Sequence, residues 1–261
     1  MAMAGAIDGL LLDMDGVLTV SWEPLPGAVA AFARLRAAGL PLRVLTNTTG
    51  RSRTALATGL RRAGFEVDDH EILSAAVAAG AYLRTEHPGA RVFLLGDAQP
   101  ADLEGVELVG LDDAPEVVLF AGADESYAFA TLNRVYRALL GGAVFVAMHR
   151  TFAWMTTAGL CLDAGAYVAG LEQALGRKAV VTGKPSPTFF AAGLEALHLP
   201  AERVVMVGDD IAGDVLAAQA VGIRGVLVRT GKFRPDVLAL ASAAPDHVVD
   251  SIVSVPDLLA L

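Results

Sequence analysis

Two acidic residues lie two positions apart at the end of an apolar run near the start of the chain. The stretch LLLDMDGVLTV places Asp13 and Asp15 directly before Gly16. A carboxylate is ionised at neutral pH, so one of the pair can act as a nucleophile while the other moves protons. The alternative is that both residues cap a strand and open a turn, as Asp and Gly commonly do. The rest of the chain decides between these two interpretations.

Two other apolar runs end in polar residues. Thr46 and Asn47 follow LPLRVL, whereas Asp209 and Asp210 follow VVMVG, with Asp214 one helical turn later. The carboxyl ends of neighbouring parallel strands lie at one edge of a sheet, where α/β proteins place their chemistry. We therefore expect a shared edge to bring these residues and the Asp13 pair together.

The chemistry that fits this set is phosphoryl transfer through a covalent intermediate. Asp13 can attack phosphorus, and Asp15 can protonate the leaving oxygen and later deprotonate the attacking water. Two anions repel unless a cation lies between them, and a hard ion with oxygen ligands is the habit of Mg²⁺. Asp13, the backbone carbonyl of Asp15 and Asp209 can bind that ion.

Further residues can surround the ion and the phosphoryl group. Asp210 and Asp214 can orient water or a cation around the metal ligands. Lys184, in the segment GKPSP, and the Thr46 hydroxyl can neutralise and hydrogen-bond the phosphoryl oxygens. The sequence therefore predicts a complete set of groups for a magnesium-dependent phosphoryl transfer.

Four segments in chain order carry a family resemblance: DMDGVLT, TNTT, GKPSP and GDDIAGD. They resemble the four motifs of the haloacid dehalogenase superfamily. The resemblance implies the following roles: Asp13 as nucleophile, Asp15 as acid and base, Thr46 and Asn47 as phosphate binders, Lys184 as charge clamp and Asp209 as a magnesium ligand. A non-enzyme that keeps this fold as a binding module is the alternative, but such a chain would tend to lose one of these residues.

Apolar runs alternate with helical stretches along the chain, which predicts an α/β fold. The runs are IDGLLL, LPLRVL, ARVFLL, EVVLFA, AVFVAM, VVMVG and GVLV. We expect a Rossmann-like, doubly wound parallel core at residues 1–76 and 181–261, with an inserted α/β domain at residues 77–180. An insert at this place resembles the class II cap of the NagD-like, or p-nitrophenyl phosphatase, group.

The final third of the chain contains the segments GKPSPTFFAAGLEAL, VVMVGDDIAGDV and VLVRTGKFRP. These segments resemble the branch that holds the phospholysine phosphohistidine inorganic pyrophosphate phosphatases. That resemblance implies a small phosphorylated substrate such as pyrophosphate, phosphohistidine or phospholysine. The wider group implies a broad-specificity phosphatase of sugar phosphates or nitrophenyl phosphate. Asp15 disfavours a dehalogenase, and the predicted insert has only Lys178 to offer a phosphonatase. A phosphomutase stays open as an alternative.

The inserted part carries polar and aromatic residues that can reach a substrate. The segment MHRTFAW contains His149, Arg150 and Trp154. Arg150 is the best candidate because a guanidinium suits a second phosphate. The alternative is that His149 and Arg150 are solvated loop residues and that Trp154 belongs to the core of the insert.

Composition limits the partners and the location of the protein. The chain has 20 Lys and Arg against 29 Asp and Glu, a formal charge of −9, which argues against nucleic acid or an anionic membrane as a partner. The N-terminal stretch lacks the basic region of a secretion signal, so we expect a cytoplasmic protein.

Caps of this group often carry dimer contacts, which makes a homodimer one expectation. The single cysteine, Cys161, excludes an intrachain disulfide, and we expect it to be a small buried residue.

Overall fold

The computed structural model describes residues 6–156 and 159–261 of the chain. The strands are β1 (Gly9–Asp13), β2 (Thr19–Val20), β3 (Glu23–Pro24), β4 (Leu42–Thr46), β5 (Ile72–Ser74), β6 (Arg91–Leu95), β7 (Glu107–Leu108), β8 (Val117–Phe120), β9 (Val144–Ala147), β10 (Ala153–Thr156), β11 (Gly159–Leu162), β12 (Val180–Val181), β13 (Val204–Gly208), β14 (Arg224–Val228) and β15 (His247–Val249). The α-helices are α1 (Ala28–Ala37), α2 (Arg53–Arg62), α3 (Ala75–Glu86), α4 (Phe129–Leu140), α5 (Ala164–Leu175), α6 (Pro187–Leu197), α7 (Ala217–Gln219), α8 (Pro235–Ala239) and α9 (Val255–Leu258).

Short helical turns connect several of these elements. A π-helical turn (Ile211–Leu216) leads into α7, and 3₁₀ turns are formed by Asp69–Glu71, Pro100–Leu103, Leu111–Asp113, Ala201–Arg203 and Ile252–Ser254. No helix in the described part of the chain is both long and apolar enough to cross a lipid bilayer.

The first sheet has six strands in the order β15-β14-β13-β1-β4-β5. The pairs β14–β15, β13–β14, β1–β13 and β1–β4 are parallel. Chain order runs from β1 through β4 to β5 on one side and from β13 to β15 on the other, so β1 and β13 flank the switch point of the sheet. Open α/β sheets bind their ligands outside the strand ends at this point.

The second sheet has five strands in the order β12-β9-β8-β6-β7, and each neighbouring pair is parallel. Helices α3, α4 and α5 belong to the same region of the chain. The antiparallel pairs β2–β3 and β10–β11 form separate two-stranded ribbons. Two parallel sheets with intervening helices confirm the predicted α/β fold class.

The chain divides into two compact units. Unit 1 consists of Met1–Thr46, Arg53–Leu73 and Pro185–Leu261, and unit 2 consists of Asn47–Ser52 and Ser74–Lys184. These units group residues 47–52, 74–76 and 181–184 with the inserted part, whereas the sequence predicts boundaries after residues 76 and 180. The first sheet therefore lies in unit 1 and the second in unit 2, apart from the last residue of β5.

Strand β1 is the centre of unit 1, and all five of its residues are buried. Leu10 and Leu12 join α1 and α2 in one core cluster. Leu11 points to the opposite face, where α6 approaches so closely that a Cβ on Gly193 would lie 3.1 Å from Leu11 Cδ2. A strand covered on both faces is apolar throughout, which explains why LLL precedes Asp13 without alternation.

Cys161 does not match its expected position. It lies on β11 and is exposed, whereas the sequence predicts a buried residue. The expectation rested on the average burial of free cysteines, but this residue belongs to a two-stranded ribbon, which offers little interior.

The core of unit 1 predicts a measurable difference between two leucines. Leu60 on α2 is fully buried, whereas Leu240 after α8 is 87% exposed. We expect Leu60→Ala to lower the free energy of unfolding by about 2–5 kcal/mol because it leaves a cavity. The matched Leu240→Ala variant should change it by less than about 0.5 kcal/mol, as measured by urea unfolding of both proteins. Equal losses would contradict this packing.

Candidate active site

Three neighbouring strands of unit 1 end in the residues that the motifs single out. Asp13 is the last residue of β1, Thr46 is the last residue of β4, and Asp209 directly follows β13. In the sheet Asp13 pairs with Leu45 and Leu12 pairs with Val207, so the three strand ends lie level. All three side chains are buried. The topology therefore places these residues at the switch point of the first sheet.

A cluster of three carboxylates lies at this edge. One carboxylate oxygen from each of Asp13, Asp209 and Asp214 lies within 4.8 Å of the others, and all three residues are buried. Sequence reasoning placed Asp214 around the metal ligands, and the structure brings its carboxylate into the cluster itself. Asp15 lies two residues beyond Asp13, is partly exposed and contributes no carboxylate to this group.

The donor set of this cluster fits Mg²⁺. Carboxylates held this close together at buried positions favour the binding of a positive charge between them. The ligand atoms are all oxygens, and hard divalent cations with oxygen ligands include Mg²⁺, which binds through few carboxylates and keeps several waters. Asp13, Asp209 and Asp214 are therefore the carboxylates that would hold such an ion.

The spacing of the DDxxxD segment is explained by a local helical turn. Asp210 caps this turn, because its Oδ1 accepts hydrogen bonds from the amides of Ala212 at 3.0 Å and Gly213 at 2.9 Å. The Asp210 amide in turn donates to Asp214 Oδ2 at 3.1 Å. Asp210 therefore shapes the turn, and four residues along it Asp214 returns to the end of β13. Gly208 is required here because a Cβ at that position would overlap the Asp214 side chain.

The segment after β14 was missed by sequence reasoning. The backbone amide of Lys232 donates to Asp209 Oδ2 at 2.6 Å, and Thr230 Oγ1 donates to the carbonyl of Gly16 at 2.5 Å. A signal was available in the sequence, since RTGK follows the predicted strand GVLV just as the other motifs follow theirs. The strand-end rule applied to β14 would have found it.

Asn47 and Lys184 are held together within unit 2. Asn47 Oδ1 accepts from the Lys184 amide at 2.9 Å, and Asn47 Nδ2 donates to the Lys184 carbonyl at 3.0 Å. The preceding residue is also fixed, because the Gly183 amide donates to the Met148 carbonyl at 2.8 Å. The Asn47 side chain therefore positions the main chain of Lys184, and phosphate binding by Asn47 stays a prediction.

Arg150 forms an ion pair with Glu172 in unit 2. Glu172 also accepts from Lys178 Nζ at 3.1 Å and from the Ala179 amide at 2.9 Å. Burial raises the pKa of Glu172, but the Ala179 amide and the Lys178 and Arg150 cations outweigh burial, so the pKa lies below its ordinary value. The ion pair gives Arg150 a structural role, and its contact with substrate stays a prediction.

The other two candidates of the inserted part are His149 and Trp154. His149 is not a solvated residue, since it is 3% exposed, and its Nε2 lies 4.0 Å from Asp163 Oδ2. Asp163 is fixed in turn, because its Oδ1 accepts from the amides of Ala123 and Ala164. The Trp154 side chain lies outside the described residues.

Comparison with known proteins decides the family. A family described as "Haloacid dehalogenase-like hydrolase" matches residues 10–111, and a HAD-hydrolase-like family matches residues 181–255. The human phospholysine phosphohistidine inorganic pyrophosphate phosphatase is 37% identical over 260 residues, covering 97% of this chain and 94% of the human protein. The chain belongs to the haloacid dehalogenase superfamily.

Solved structures of this superfamily resemble the whole chain. The p-nitrophenyl phosphatase from Archaeoglobus fulgidus has a TM-score of 0.90 at 31% identity and covers 98% of this chain and 100% of its own. NagD from E. coli has a TM-score of 0.85 at 28% identity and covers 95% and 98%. These neighbours confirm a class IIA, NagD-like phosphatase of the superfamily, with a core and an inserted cap domain.

The Asn47 contacts predict that the main chain around Lys184 becomes less ordered when the Asn47 side chain is removed. Asn47→Ala removes both side-chain bonds to Lys184, so we expect faster amide hydrogen exchange in the peptide around residues 182–184. The expected loss of stability is about 1–3 kcal/mol, because two hydrogen bonds disappear. Asn133→Ala is the matched control, since Asn133 Nδ2 donates to the Phe129 carbonyl within its own helix. Unchanged exchange in the Asn47 variant would contradict the positioning role.

The Glu172 contacts predict a pH-dependent stability. Because the folded pKa is lowered, the contribution of Glu172 is complete above its unfolded pKa of about 4.3 and is lost as the pH falls through the lower folded value. We expect Glu172→Gln to lower the free energy of unfolding by about 1–3 kcal/mol at pH 7, since the neutral amide no longer carries the charge that pairs with Arg150 and Lys178.

The difference between wild type and Glu172→Gln should be smaller at pH 3 than at pH 7, because the stabilisation by the carboxylate is lost progressively as the pH falls from the unfolded pKa through the lower folded pKa. Urea unfolding at both pH values, with the exposed Glu104→Gln as control, measures this. A difference that stays constant with pH would show that the charge of Glu172 does not stabilise unit 2.

Proposed function

We propose that this protein is a magnesium-dependent phosphatase that acts through an aspartyl-phosphate on Asp13. The observation that carries the proposal is the buried group of Asp13, Asp209 and Asp214 at the switch point of the first sheet. A nucleophilic carboxylate and a phosphate are both negatively charged and repel each other. A divalent cation bound by these three carboxylates would offset that repulsion and let the two groups approach.

Asp13 and Asp15 divide the covalent chemistry between them. A carboxylate oxygen of Asp13 attacks phosphorus while Asp15 transfers its proton to the leaving oxygen or nitrogen. Asp15 then accepts a proton from a water molecule, whose oxygen attacks the phosphorus of the aspartyl-phosphate. Phosphate leaves, and Asp13 returns as a free carboxylate. The partial exposure of Asp15 suits this role, because the water molecule from which it takes a proton must be able to reach it.

The remaining residues bind and orient. Asp13, Asp209, Asp214 and the backbone carbonyl of Asp15 would hold Mg²⁺, which when bound offsets the negative charge that develops on the phosphoryl oxygens. The motif order assigns the Thr46 hydroxyl and the Lys184 ammonium to those same oxygens. Asp210 contributes by shaping the turn that carries Asp214.

The proposed substrates are small phosphorylated molecules. Likeness to the human phosphatase supports pyrophosphate, phosphohistidine or phospholysine. Likeness to the p-nitrophenyl phosphatase supports activity on nitrophenyl phosphate. The resemblance of the motifs and the insert to the wider NagD-like group supports a broader activity that includes sugar phosphates. In the first set the transferred phosphorus is bonded to a bridging phosphate oxygen or to nitrogen, whereas the second set consists of phosphate esters of carbon, so the two proposals predict different profiles.

The test is phosphate release from nitrophenyl phosphate, pyrophosphate, phosphohistidine, phospholysine and sugar phosphates, with and without Mg²⁺. We expect turnover that requires Mg²⁺ and that falls at least about a thousandfold in Asp13→Asn, because the amide cannot act as the nucleophile. Asp257→Asn, on the exposed surface of unit 1, is the control and should keep full activity.

The outcomes separate the candidate activities. Preference for pyrophosphate and the phosphoramidates supports the first profile, and preference for sugar phosphates supports the second. Release of phosphate by Asp13→Asn at the wild-type rate would rule out the covalent step. No release from any substrate by a folded, magnesium-supplied wild type would overturn the proposed phosphatase activity on this panel.

A further inference from the structure

A short segment after β14 reaches two parts of the proposed site that lie on different strands. We call the residues Thr230–Lys232 the strap. Strand β14 pairs with β13 in the first sheet, so the strap begins at the same edge as Asp209. None of the four superfamily motifs includes it, and all its contacts described below lie within unit 1.

The strap makes two hydrogen bonds to the site. Its Lys232 amide donates to Asp209 Oδ2 at 2.6 Å, and its Thr230 hydroxyl donates to the Gly16 carbonyl at 2.5 Å. Asp209 is 1% exposed, so a backbone donor replaces water there and stabilises the negative charge of the carboxylate. Gly16 directly follows Asp15, so the second bond restrains the backbone next to the proposed acid and base.

Two glycines enclose the Asp209 carboxylate. A Cβ on Gly16 or on Gly231 would overlap Asp209 Oδ2. A Cβ on Gly231 would also lie 2.6 Å from the Gly16 Cα, so the two backbones are in close contact. Their φ angles are +91° and +59°, in the left-handed region that glycine adopts without strain. The Asp209 carboxylate therefore lies in a slot that any side chain at either position would close.

We propose that the strap is a positioning element of this phosphatase. It holds the Asp209 carboxylate and the backbone after Asp15 in one arrangement before substrate and cation bind. The inference rests on the proposed function, since Asp209 is there a metal ligand and Asp15 the proton carrier. Groups that orient metal ligands from behind contribute to both metal affinity and turnover, because they remove the cost of arranging the ligands during binding.

A purely structural role for the strap makes a different prediction. If Thr230 only tied down a surface loop, its loss would lower the unfolding midpoint and leave the properties of the folded protein unchanged. If the strap positions the site, the folded protein itself should bind Mg²⁺ more weakly and turn over more slowly. The two roles therefore separate when affinity and kinetics are measured on folded protein.

The test compares wild type with Thr230→Val, Thr230→Ser and Thr58→Val. Valine keeps the shape of Thr230 but cannot donate to Gly16, whereas serine keeps the hydroxyl. Thr58 on α2 is the matched control, because its hydroxyl accepts a bond from Arg61 on the surface. Calorimetric titration with Mg²⁺ alone gives the affinity, and nitrophenyl phosphate at saturating Mg²⁺ gives kcat and KM.

We expect Thr230→Val to bind Mg²⁺ about tenfold more weakly and to lose about tenfold in kcat, with KM unchanged. Thr230→Ser should recover most of both losses, and Thr58→Val should match wild type. Gly231→Ala should be affected more strongly than Thr230→Val, since its Cβ enters the slot of Asp209 directly.

Each result decides the proposal. Wild-type Mg²⁺ affinity and kcat in a folded Thr230→Val would overturn it, and so would equal losses in valine and serine variants. If wild type releases no phosphate, the proposed function fails, and the Mg²⁺ titrations alone then decide the strap. A wild type that binds no Mg²⁺ would overturn the strap as a positioning element for a metal site. If Thr230→Val fails to fold, Gly231→Ala provides the test, and wild-type Mg²⁺ affinity and kcat in a folded Gly231→Ala would overturn the proposal.

Discussion

The mutual repulsion of three buried carboxylates is the constraint on which the rest of unit 1 depends. Asp13, Asp209 and Asp214 lie within 4.8 Å of one another at buried positions, where water cannot screen their charges. A flexible structure would relieve this repulsion by turning the carboxylates apart. The strands and the capped turn oppose that relaxation, so the site keeps three carboxylates close enough together to bind one divalent cation.

The structure opposes the relaxation chiefly with backbone groups. The amides of Asp210 and Lys232 donate to Asp214 and Asp209, and the amides of Ala212 and Gly213 fix the turn between those two acids. Backbone donors on short, tightly bonded segments have little conformational freedom, so they hold the carboxylates in place at a small cost in entropy. Close backbone approach also explains the glycines at the ends of these strands, because a Cβ there would displace a carboxylate.

Unit 2 contains the second parallel sheet, and side-chain hydrogen bonds fix the segments that carry its motif residues. The segment after Thr46 is anchored there: Thr49 Oγ1 accepts from the Gly122 amide at 3.1 Å, and Gln99 Nε2 donates to the Gly50 carbonyl at 3.0 Å. Asn47 bonds the main chain of Lys184 in the same unit. The peptide bond between Thr46 and Asn47 therefore joins a residue held by the first sheet to a segment held in unit 2.

The sequence by itself determined the α/β class, the strand ends and the family, because apolar runs ending in acids at fixed spacing are local properties of the chain. Asp13, Thr46 and Asp209 could be predicted as neighbours since parallel strands end at one edge of a sheet.

Only the tertiary structure decided that Asp214 joins the carboxylate cluster, that Asn47 holds the Lys184 main chain and that Arg150 pairs with Glu172. Most of these partners are far apart in sequence, and the direction of a side chain depends on the packing of its element rather than on its own type. The strap combines both kinds of information. The sequence alone could predict RTGK as a fourth strand end, but the contact of this segment with Asp209 depends on β13 and β14 being neighbours in the sheet.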